Sequence, residues 1–270
     1  MATAYVLIRA EPHYRRDAFA SGLRAVGYEV RHGTPSMLYP SDLVLGWNRY
    51  GTTHDICTRA ENAGATTLIA ENGYLNPGGS SPHSDSERQI YSLAIGAHND
   101  DAAIAEASPE RWAALGIELR PWRTDGAHVL ICPNRSFGTP GRIMPSDWVE
   151  VTVKALRRLT DRPIRIRPHP GNSPAKKPLS ADLAGAHCVI QWHSSAGVHA
   201  LIAGIPVLCM APAWICKSVA GADLSQIEAP PMPDRLPAMQ RLANGQFSVG
   251  ELSSGEAFRR VLADRLHPAG

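Results

Sequence analysis

The sequence lacks long apolar runs, paired cysteine motifs and abundant aromatic residues, which make up only 6% of the chain. Because no run of about 18 apolar residues occurs, the sequence predicts no membrane-spanning helix. Its start, MATAYVLIRAEP, meets charge too soon for a signal peptide. The cysteines show neither a C-x-x-C zinc pattern nor the even count of a disulfide framework, so we expect reduced thiols in a cytoplasmic protein. They are Cys57, Cys132, Cys188, Cys209 and Cys216.

Charge of either sign is also scarce. The 27 Lys and Arg residues nearly balance the 25 Asp and Glu residues, which leaves a formal net charge of +2 and a pI near 8.3. This mild excess of positive charge permits a polyanionic partner but does not by itself argue for one. The apolar fraction of 44% is ample for an ordinary globular core.

Short apolar segments alternate with helix-length segments along most of the chain, which is typical of parallel sheets covered by helices. The pattern restarts near residue 125, so the predicted domains span 1–124 and 125–245. A C-terminal helix over 246–270 is expected to pack back on the first domain. The sequence therefore predicts an α/β fold with two Rossmann-like, parallel-sheet halves facing a cleft, where ligands bind at the carboxyl ends of the strands.

One region departs from this alternation. Residues 76–100 are rich in Gly, Ser, Pro and His until the segment RQIYSLAIG. The composition predicts a functional loop that is followed by a short helix.

Two predicted strand ends in the second half carry basic and polar side chains. One runs into RPHPG with Arg167 and His169, and the other into WHSSAG with Ser194, Ser195 and Gly197. Parallel strands of one half end at the same edge, so we expect these tips to be neighbours. Arginine and helix N-termini both bind phosphate, and the flanking prolines restrict the approach of His169. The constellation predicts a pocket for a nucleotide diphosphate.

Each of these residues also has a simpler interpretation. Any strand–helix junction needs a capping serine, and a single histidine is more often packed in a loop than bound to a ligand. A third strand end, CPNRSFGTPGR, adds Asn134, Arg135 and Ser136, whose alternative role is turn formation. We therefore assign the site to the constellation and not to any one member.

The His-Pro element and the later Ser-Ser element resemble the donor-binding half of GT-B glycosyltransferases, in particular bacterial sialyltransferases and capsule Kdo transferases. In those families an acidic residue before a Gly, in the N-terminal half, carries the general base. IAENGYLN matches this pattern at Glu71, Asn72 and Gly73, and GWNRYG (46–51) resembles a segment of the capsule enzymes. Asn72 stands where a second acid is often found, and the chain is shorter than most capsule enzymes, so the sugar identity is not carried over.

The resemblance implies a metal-independent, inverting glycosyltransferase, with donor binding in residues 125–245 and acceptor binding in residues 1–124. Glu71 would deprotonate the acceptor hydroxyl, while Arg167, His169 and the helix end would stabilise the leaving group. The donor would be a nucleotide sugar such as a UDP- or CMP-sugar, with no other cofactor. No D-x-D pair occurs to hold a metal. The acceptor-binding residues would be Asn48, Arg49, Asn72 and His98, with His98, His83 and Asp85 as alternative bases.

Two acceptors are compatible with this site. We favour a 5-hydroxymethylpyrimidine in phage DNA, modified in the host cytoplasm, because we expect a lipid-linked acceptor to require membrane-associating or added segments, which the sequence lacks. Basic and aromatic residues that mix at several points of the chain are compatible with DNA, although such scattered residues are also ordinary surface and core. These points are HYRR (13–16), WNRY (47–50), RPWR (120–123) and KK (176–177). The alternative acceptor is a capsule or surface polysaccharide, and no membrane partner is expected. A nucleotide-sugar hydrolase or epimerase of the same fold and a non-catalytic nucleotide-binding module are the other hypotheses.

Overall fold

The computed structural model describes residues 2–10, 13–75, 89–100, 106–136, 138–170, 172 and 177–263. The chain forms two compact units, of which the first contains residues 1–98 and 245–270 and the second contains residues 99–244. The strands are β1 (Thr3–Val6), β2 (Glu29–His32), β3 (Leu43–Trp47), β4 (Thr66–Asn72), β5 (Ile90–Ile95), β6 (His128–Cys132), β7 (Ile164–Ile166), β8 (Ala186–Gln191), β9 (Val207–Cys209) and β10 (Gln246–Ser248). The α-helices are α1 (His13–Ala25), α2 (Gly51–Asn62), α3 (Pro109–Ala114), α4 (Trp148–Leu156), α5 (Leu179–Leu183), α6 (Ser195–Ile202), α7 (Leu236–Asn244), α8 (Val249–Ser253) and α9 (Glu256–Val261).

The first unit is built on a six-stranded sheet in the order β2-β1-β3-β4-β5-β10. Strands β2, β1, β3 and β4 are parallel, whereas β5 runs antiparallel to β4 and β10 antiparallel to β5. The carboxyl ends of the four parallel strands therefore lie along one edge of this sheet.

Strands β3 and β4 are buried on both faces. Leu43 and Leu45 of β3 pack into one apolar cluster with α1, while Val44 between them packs into a second cluster with α2. Strand β4 repeats the arrangement with Leu68 in the first cluster and Ile69 in the second. Helices thus cover both faces of the sheet, which is why these strands appear in the sequence as continuous apolar runs.

Residues 90–95 of the segment RQIYSLAIG form strand β5, so the predicted short helix is wrong. Residues 90–95 pair with β4 on one side and, through their first half, with β10 on the other. Tyr91 and Leu93 enter the apolar cluster next to Phe19 of α1. The physical reason is that β4 and β10 pair with this segment from both sides and satisfy its backbone hydrogen bonds. Strand β10 lies more than a hundred residues later in the chain, so local sequence does not reveal the pairing.

The second unit is built on a four-stranded, entirely parallel sheet in the order β7-β6-β8-β9. Its core joins Val129, Ile131 and Ile190 of the central strands to Trp148 at the start of α4. Asp147 occupies the N-cap position of α4. Both units are α/β, with parallel strands dominating both sheets, so the predicted fold of two Rossmann-like halves is confirmed.

The compact units divide at residues 98 and 99, whereas the sequence places the boundary near residue 125. Residues 106–124 belong to the second unit, where α3 packs against α7. The C-terminal segment belongs to the first unit, because β10 joins its sheet and α8 and α9 pack on α1. None of the helices in the described part of the chain combines the length and hydropathy that crossing a bilayer requires.

The packing of the C-terminal segment on α1 leads to a first prediction. Phe258 of α9 is fully buried, and its ring meets that of Phe19 edge to face with centroids 6.3 Å apart. We expect Phe258→Ala to lower the free energy of unfolding by about 3–5 kcal/mol, since it leaves a cavity. Urea denaturation measures this, with Arg260→Ala on the exposed side of α9 as the control. Equal midpoints for the two variants would contradict the packing.

Candidate functional site

Three loops of the second unit leave its sheet at one edge. Strand β6 lies between β7 and β8 and is parallel to both, so the residues that follow these strands are neighbours. The loop after β6 carries Asn134, Arg135 and Ser136, and the loop after β7 carries Arg167 and His169. The loop after β8 carries the predicted serines. The structure therefore places the three predicted donor-binding segments side by side.

Two amide side chains hold the loop after β8. The Asn134 Oδ1 atom accepts a hydrogen bond of 2.9 Å from the backbone N–H of His193. The Asn99 Nδ2 atom donates to the backbone oxygen of His193 at 2.7 Å and lies 3.2 Å from its ring Nδ1. Asn99 itself has a left-handed backbone, with φ of 54°. Both backbone polar groups of His193 are thus fixed by side chains from other segments.

Trp192 fixes the same loop from its other side. Its indole N–H donates a hydrogen bond of 2.8 Å to the backbone oxygen of Arg142, and its ring meets Trp148 edge to face. The Arg142 guanidinium forms an ion pair of 2.6 Å with Asp100. Arg142 therefore lies beside the loop, where its charge acts on His193.

The two histidines of these loops favour the neutral state. Burial and the nearby charge of Arg135 lower the pKa of His169 below its ordinary value. Burial also lowers the pKa of His193, with further contributions from Arg142 and from His169 itself. His169 and His193 follow neighbouring parts of the sheet, since β7 and β8 both pair with β6. This edge therefore combines neutral imidazoles with the positive charges of Arg135 and Arg142. An anion bound here would be attracted by the two arginines.

The serine pair opens helix α6. Ser194 is the N-cap residue, and its side-chain oxygen accepts a hydrogen bond of 3.2 Å from the Ala196 N–H. Ser195 is the first helical residue and is exposed, so only one of the two serines holds the predicted cap position. A Cβ at Gly197 would lie 2.6 Å from Nε2 of Gln191, which is fully buried beneath the first turn. Glycine is required there because the helix start lies directly on the end of β8.

Arg167 does not present an unpaired guanidinium for a phosphate. Its Nη1 atom forms an ion pair with Asp182 of α5 and donates a hydrogen bond of 2.9 Å to the backbone oxygen of Lys177. The side chain is largely buried in this arrangement, with 13% of it exposed. In this structure Arg167 therefore anchors α5 beside the loop after β7, and its role as a phosphate ligand stays a prediction. A backbone hydrogen bond also holds the loop at His169, because the Asn172 N–H donates to the carbonyl oxygen of His169 at 2.8 Å.

The acid-x-Gly element lies at the carboxyl end of β4 in the first unit. Glu71 is half-buried, pairs with Ser92 of β5 and accepts a hydrogen bond of 2.7 Å from the Asn72 N–H through its side chain. Asn72 is also half-buried and ends the strand. A Cβ at Gly73 would lie 2.6 Å from the backbone oxygen of Ile90. The glycine of this motif is therefore a packing requirement of the pairing with β5.

The other predicted acceptor residues divide into two groups. Arg49 forms a forked ion pair with Glu61, with N–O distances of 2.5 and 2.7 Å, and also donates to the Gly96 oxygen. Glu61 raises the pKa of Arg49 and Arg49 lowers the pKa of Glu61, so each side chain favours the charged form of the other. The acceptor role of Arg49 stays a prediction. Asn48 keeps a left-handed backbone with φ of 60°, and His98 is half-buried at the end of the first segment of this unit. His83 and Asp85 lie outside the described residues.

The sequence analysis did not identify His193, Arg142 or Asn99 as members of the site. His193 stands directly before the two serines, so the WHSSAG motif contained a signal for it. Arg142 and Asn99 reach the loop through contacts with distant residues. Within the ranges that the structure describes, no group of three or more His, Cys, Asp or Glu side chains is placed to hold a metal ion.

The lowered histidine pKa values lead to a prediction on stability. An unfolded histidine has a pKa of about 6.5, so acidification below that value protonates the unfolded chain before the folded one. The stabilisation is therefore complete above about pH 6.5 and decreases as the pH falls toward the folded-state pKa. We expect His193→Gln to lose less stability than the wild type between about pH 7.5 and about pH 5.5. Urea midpoints at the two pH values measure this, with exposed His32→Gln as the control; equal losses in all three proteins would refute it.

Comparison with known proteins places the fold among solved glycosyltransferase structures. The beta Kdo 2,4 transferase of Thermosulfurimonas dismutans KpsC superposes with a TM-score of 0.56 and 15% identity, over 89% of each chain. The beta Kdo 2,7 transferase of the same KpsC superposes with a TM-score of 0.56 and 17% identity, over 97% of this chain and 100% of that one. No family model and no curated protein sequence matches the chain. At this identity the likeness establishes the shared fold.

Proposed function

We propose that this protein is a glycosyltransferase that moves a sugar from a nucleotide-sugar donor to a hydroxyl of a saccharide acceptor. The observation that carries the proposal is the meeting of the loops after β6, β7 and β8 in the second unit. They bring His169, His193 and Arg135 together beside the first turn of α6. Arginine and helix N-termini are both suited to phosphate. The likeness of fold to two Kdo transferases supports the same activity.

The donor role follows from the charge that develops in the reaction. When the bond between the sugar and the nucleotide breaks, negative charge accumulates on the departing phosphate oxygen. Arg135 and Arg142 supply fixed positive charge near the loop, and the capped start of α6 supplies oriented N–H groups. His169 can donate a hydrogen bond to that oxygen. Because cationic and neutral groups of the protein supply this stabilisation, we expect transfer without a metal ion, with a UDP- or CMP-sugar as donor.

The base role is assigned to Glu71. A sugar hydroxyl loses its proton as it attacks the anomeric carbon, and a carboxylate at the end of a strand can accept that proton. Glu71 lies one residue before the end of a buried strand yet is itself half-buried, so it combines a fixed backbone with an accessible side chain. Attack by the hydroxyl in a single displacement inverts the anomeric centre. The product anomer, read by NMR, tests this outcome.

The structure favours a saccharide over DNA as acceptor, because the basic and aromatic residues that suggested DNA have partners within their own unit. The Arg15 guanidinium lies 4.0 Å above the Trp47 ring, and Arg49 is paired with Glu61. In the second unit Arg235 stacks on Trp122 at 4.0 Å, and Arg123 donates to two backbone oxygens. These four arginines already have partners within their own unit, which leaves them less available to a nucleic acid.

The test of the proposed function is a two-step assay. A thermal-shift panel of nucleoside mono- and diphosphates first identifies the nucleotide, and the matching sugar conjugates are then incubated with oligosaccharides in the presence and absence of EDTA. We expect a glycosylated oligosaccharide by mass spectrometry in both conditions. Free sugar without any acceptor product would indicate a hydrolase, and nucleotide binding without turnover a binding module. Exclusive modification of DNA that contains 5-hydroxymethylcytosine would overturn the saccharide assignment.

The proposed roles of Glu71 and His169 predict that their substitution changes different quantities, turnover for Glu71 and nucleotide affinity for His169. We expect Glu71→Gln to reduce turnover by about 10²–10⁴-fold, the usual contribution of a general base, while the affinity for nucleotide stays unchanged. His169→Ala removes a donor to the phosphate and should weaken nucleotide binding by about tenfold. Steady-state kinetics and calorimetry separate the two effects. Glu29→Gln is the matched control, since Glu29 begins β2 at the opposite edge of the same sheet. Full turnover in Glu71→Gln would refute the base assignment.

A further inference from the structure

The first unit contains an open cavity that none of the roles assigned above uses. Its volume is about 280 Å³, and it lies where β1 and β2 end and α2 begins. The floor is apolar, formed by Val6, Ile8 and Ile56. The polar lining consists of Arg16, His32, Thr34, Thr52 and Thr53.

The charge of this cavity is positive. Among the described residues that line it, Arg16 is the permanent cation and no carboxylate is present. Asp17 lies 3.4 Å from Arg16, but its side chain is 55% exposed, and exposed pairs of this kind contribute little. The Arg16 side chain is 30% exposed, and its Nε and Nη2 atoms both donate to Asp17. Because a guanidinium has five N–H donors, Arg16 can take a further partner beside Asp17.

The size and chemistry of the lining select among anions. One permanent cation matches the single charge of a carboxylate, whereas a phosphate dianion would call for further cations. Three threonine hydroxyls suit the hydroxyls of a sugar ring, and the apolar floor suits its carbon face. The lining therefore fits a hydroxylated acid better than a bare anion.

The position of the cavity relates it to Glu71. Val6 pairs with Leu45, and Leu45 pairs with Leu68. Ile8 at the cavity lies two residues beyond Val6 and Glu71 three residues beyond Leu68, so the two differ in height by about one residue. Only β3 separates β1 from β4, which puts their axes about 10 Å apart. A disaccharide covers such a span.

We propose that this cavity binds the carboxylate-bearing residue of an acidic saccharide acceptor, at a subsite next to the one whose hydroxyl reacts. The role of the bound sugar acid as acceptor rests on the proposed function, whereas the binding of a sugar acid to the cavity does not. Arg16 would hold the carboxylate, and the threonines would select for ring hydroxyls.

Calorimetric titration of the whole protein, without any donor, tests the inference. The probes are glucuronate, galacturonate and N-acetylneuraminate, with glucose and inorganic phosphate for comparison. We expect at least one sugar acid to bind and Arg16→Gln to weaken it by about tenfold, the effect of losing one charged hydrogen bond. Arg24→Gln, an exposed arginine near the end of the same helix, should leave the affinity unchanged.

Several outcomes would overturn the inference. Among them are sugar acids that bind no better than glucose, an affinity that Arg16→Gln leaves unchanged, and phosphate binding that depends on Arg16 while no sugar acid binds. Nucleotide thermal shifts on the same samples separate this result from the proposed function. Nucleotide binding without sugar-acid binding removes only the subsite, whereas sugar-acid binding without nucleotide binding removes only the transferase assignment.

Discussion

The parallel pairing of β6 with both β7 and β8 is the constraint on which the candidate donor site depends. Parallel strands must end at a common edge, and three consecutive crossovers return the chain to that edge each time. Polar residues that are distant in sequence therefore meet without any direct attraction between them. Asn134 then fixes the result, because its side chain accepts the N–H of His193 from the next loop. The parallel sheet brings the loops close together, and the Asn134 amide fixes the loop after β8 against the loop after β6.

Ion pairs with carboxylates affect how readily the arginines at these edges can bind a ligand. Arg167 and Arg49 both occupy positions that favour ligand binding, yet each is held by a carboxylate of its own unit, Asp182 and Glu61 respectively. An ion pair of this kind competes with any ligand for the guanidinium. Arg135 acts on His169 and favours its neutral form, whereas Arg167 and Arg49 hold elements of their own units in place.

Much of the fold could be predicted from the sequence, because strands β3, β4, β6 and β8 are buried on both faces and appear as apolar runs. The start of α6 could be predicted from the serine at its cap. Strand β5 could not, since its identity comes from β10, which lies more than a hundred residues later in the chain. The same limit applies within the site. Asn99 and His193 are 94 residues apart, and no local pattern connects them. Periodicity reveals burial, whereas the partners of polar side chains depend on the completed fold.

The distribution of positive charge after folding supports the proposed saccharide acceptor. Binding to DNA depends on many cations that face the backbone phosphates, and each lost cation weakens binding and its salt dependence. Two arginines near aromatic residues are stacked within their own units, Arg15 on Trp47 and Arg235 on Trp122. At the carboxyl edge of the first sheet, Arg16 lies in a cavity that is also lined by threonine hydroxyls and apolar side chains. One charge within a surface shaped for a ring is a feature of carbohydrate recognition, and it lies on the same edge as Glu71.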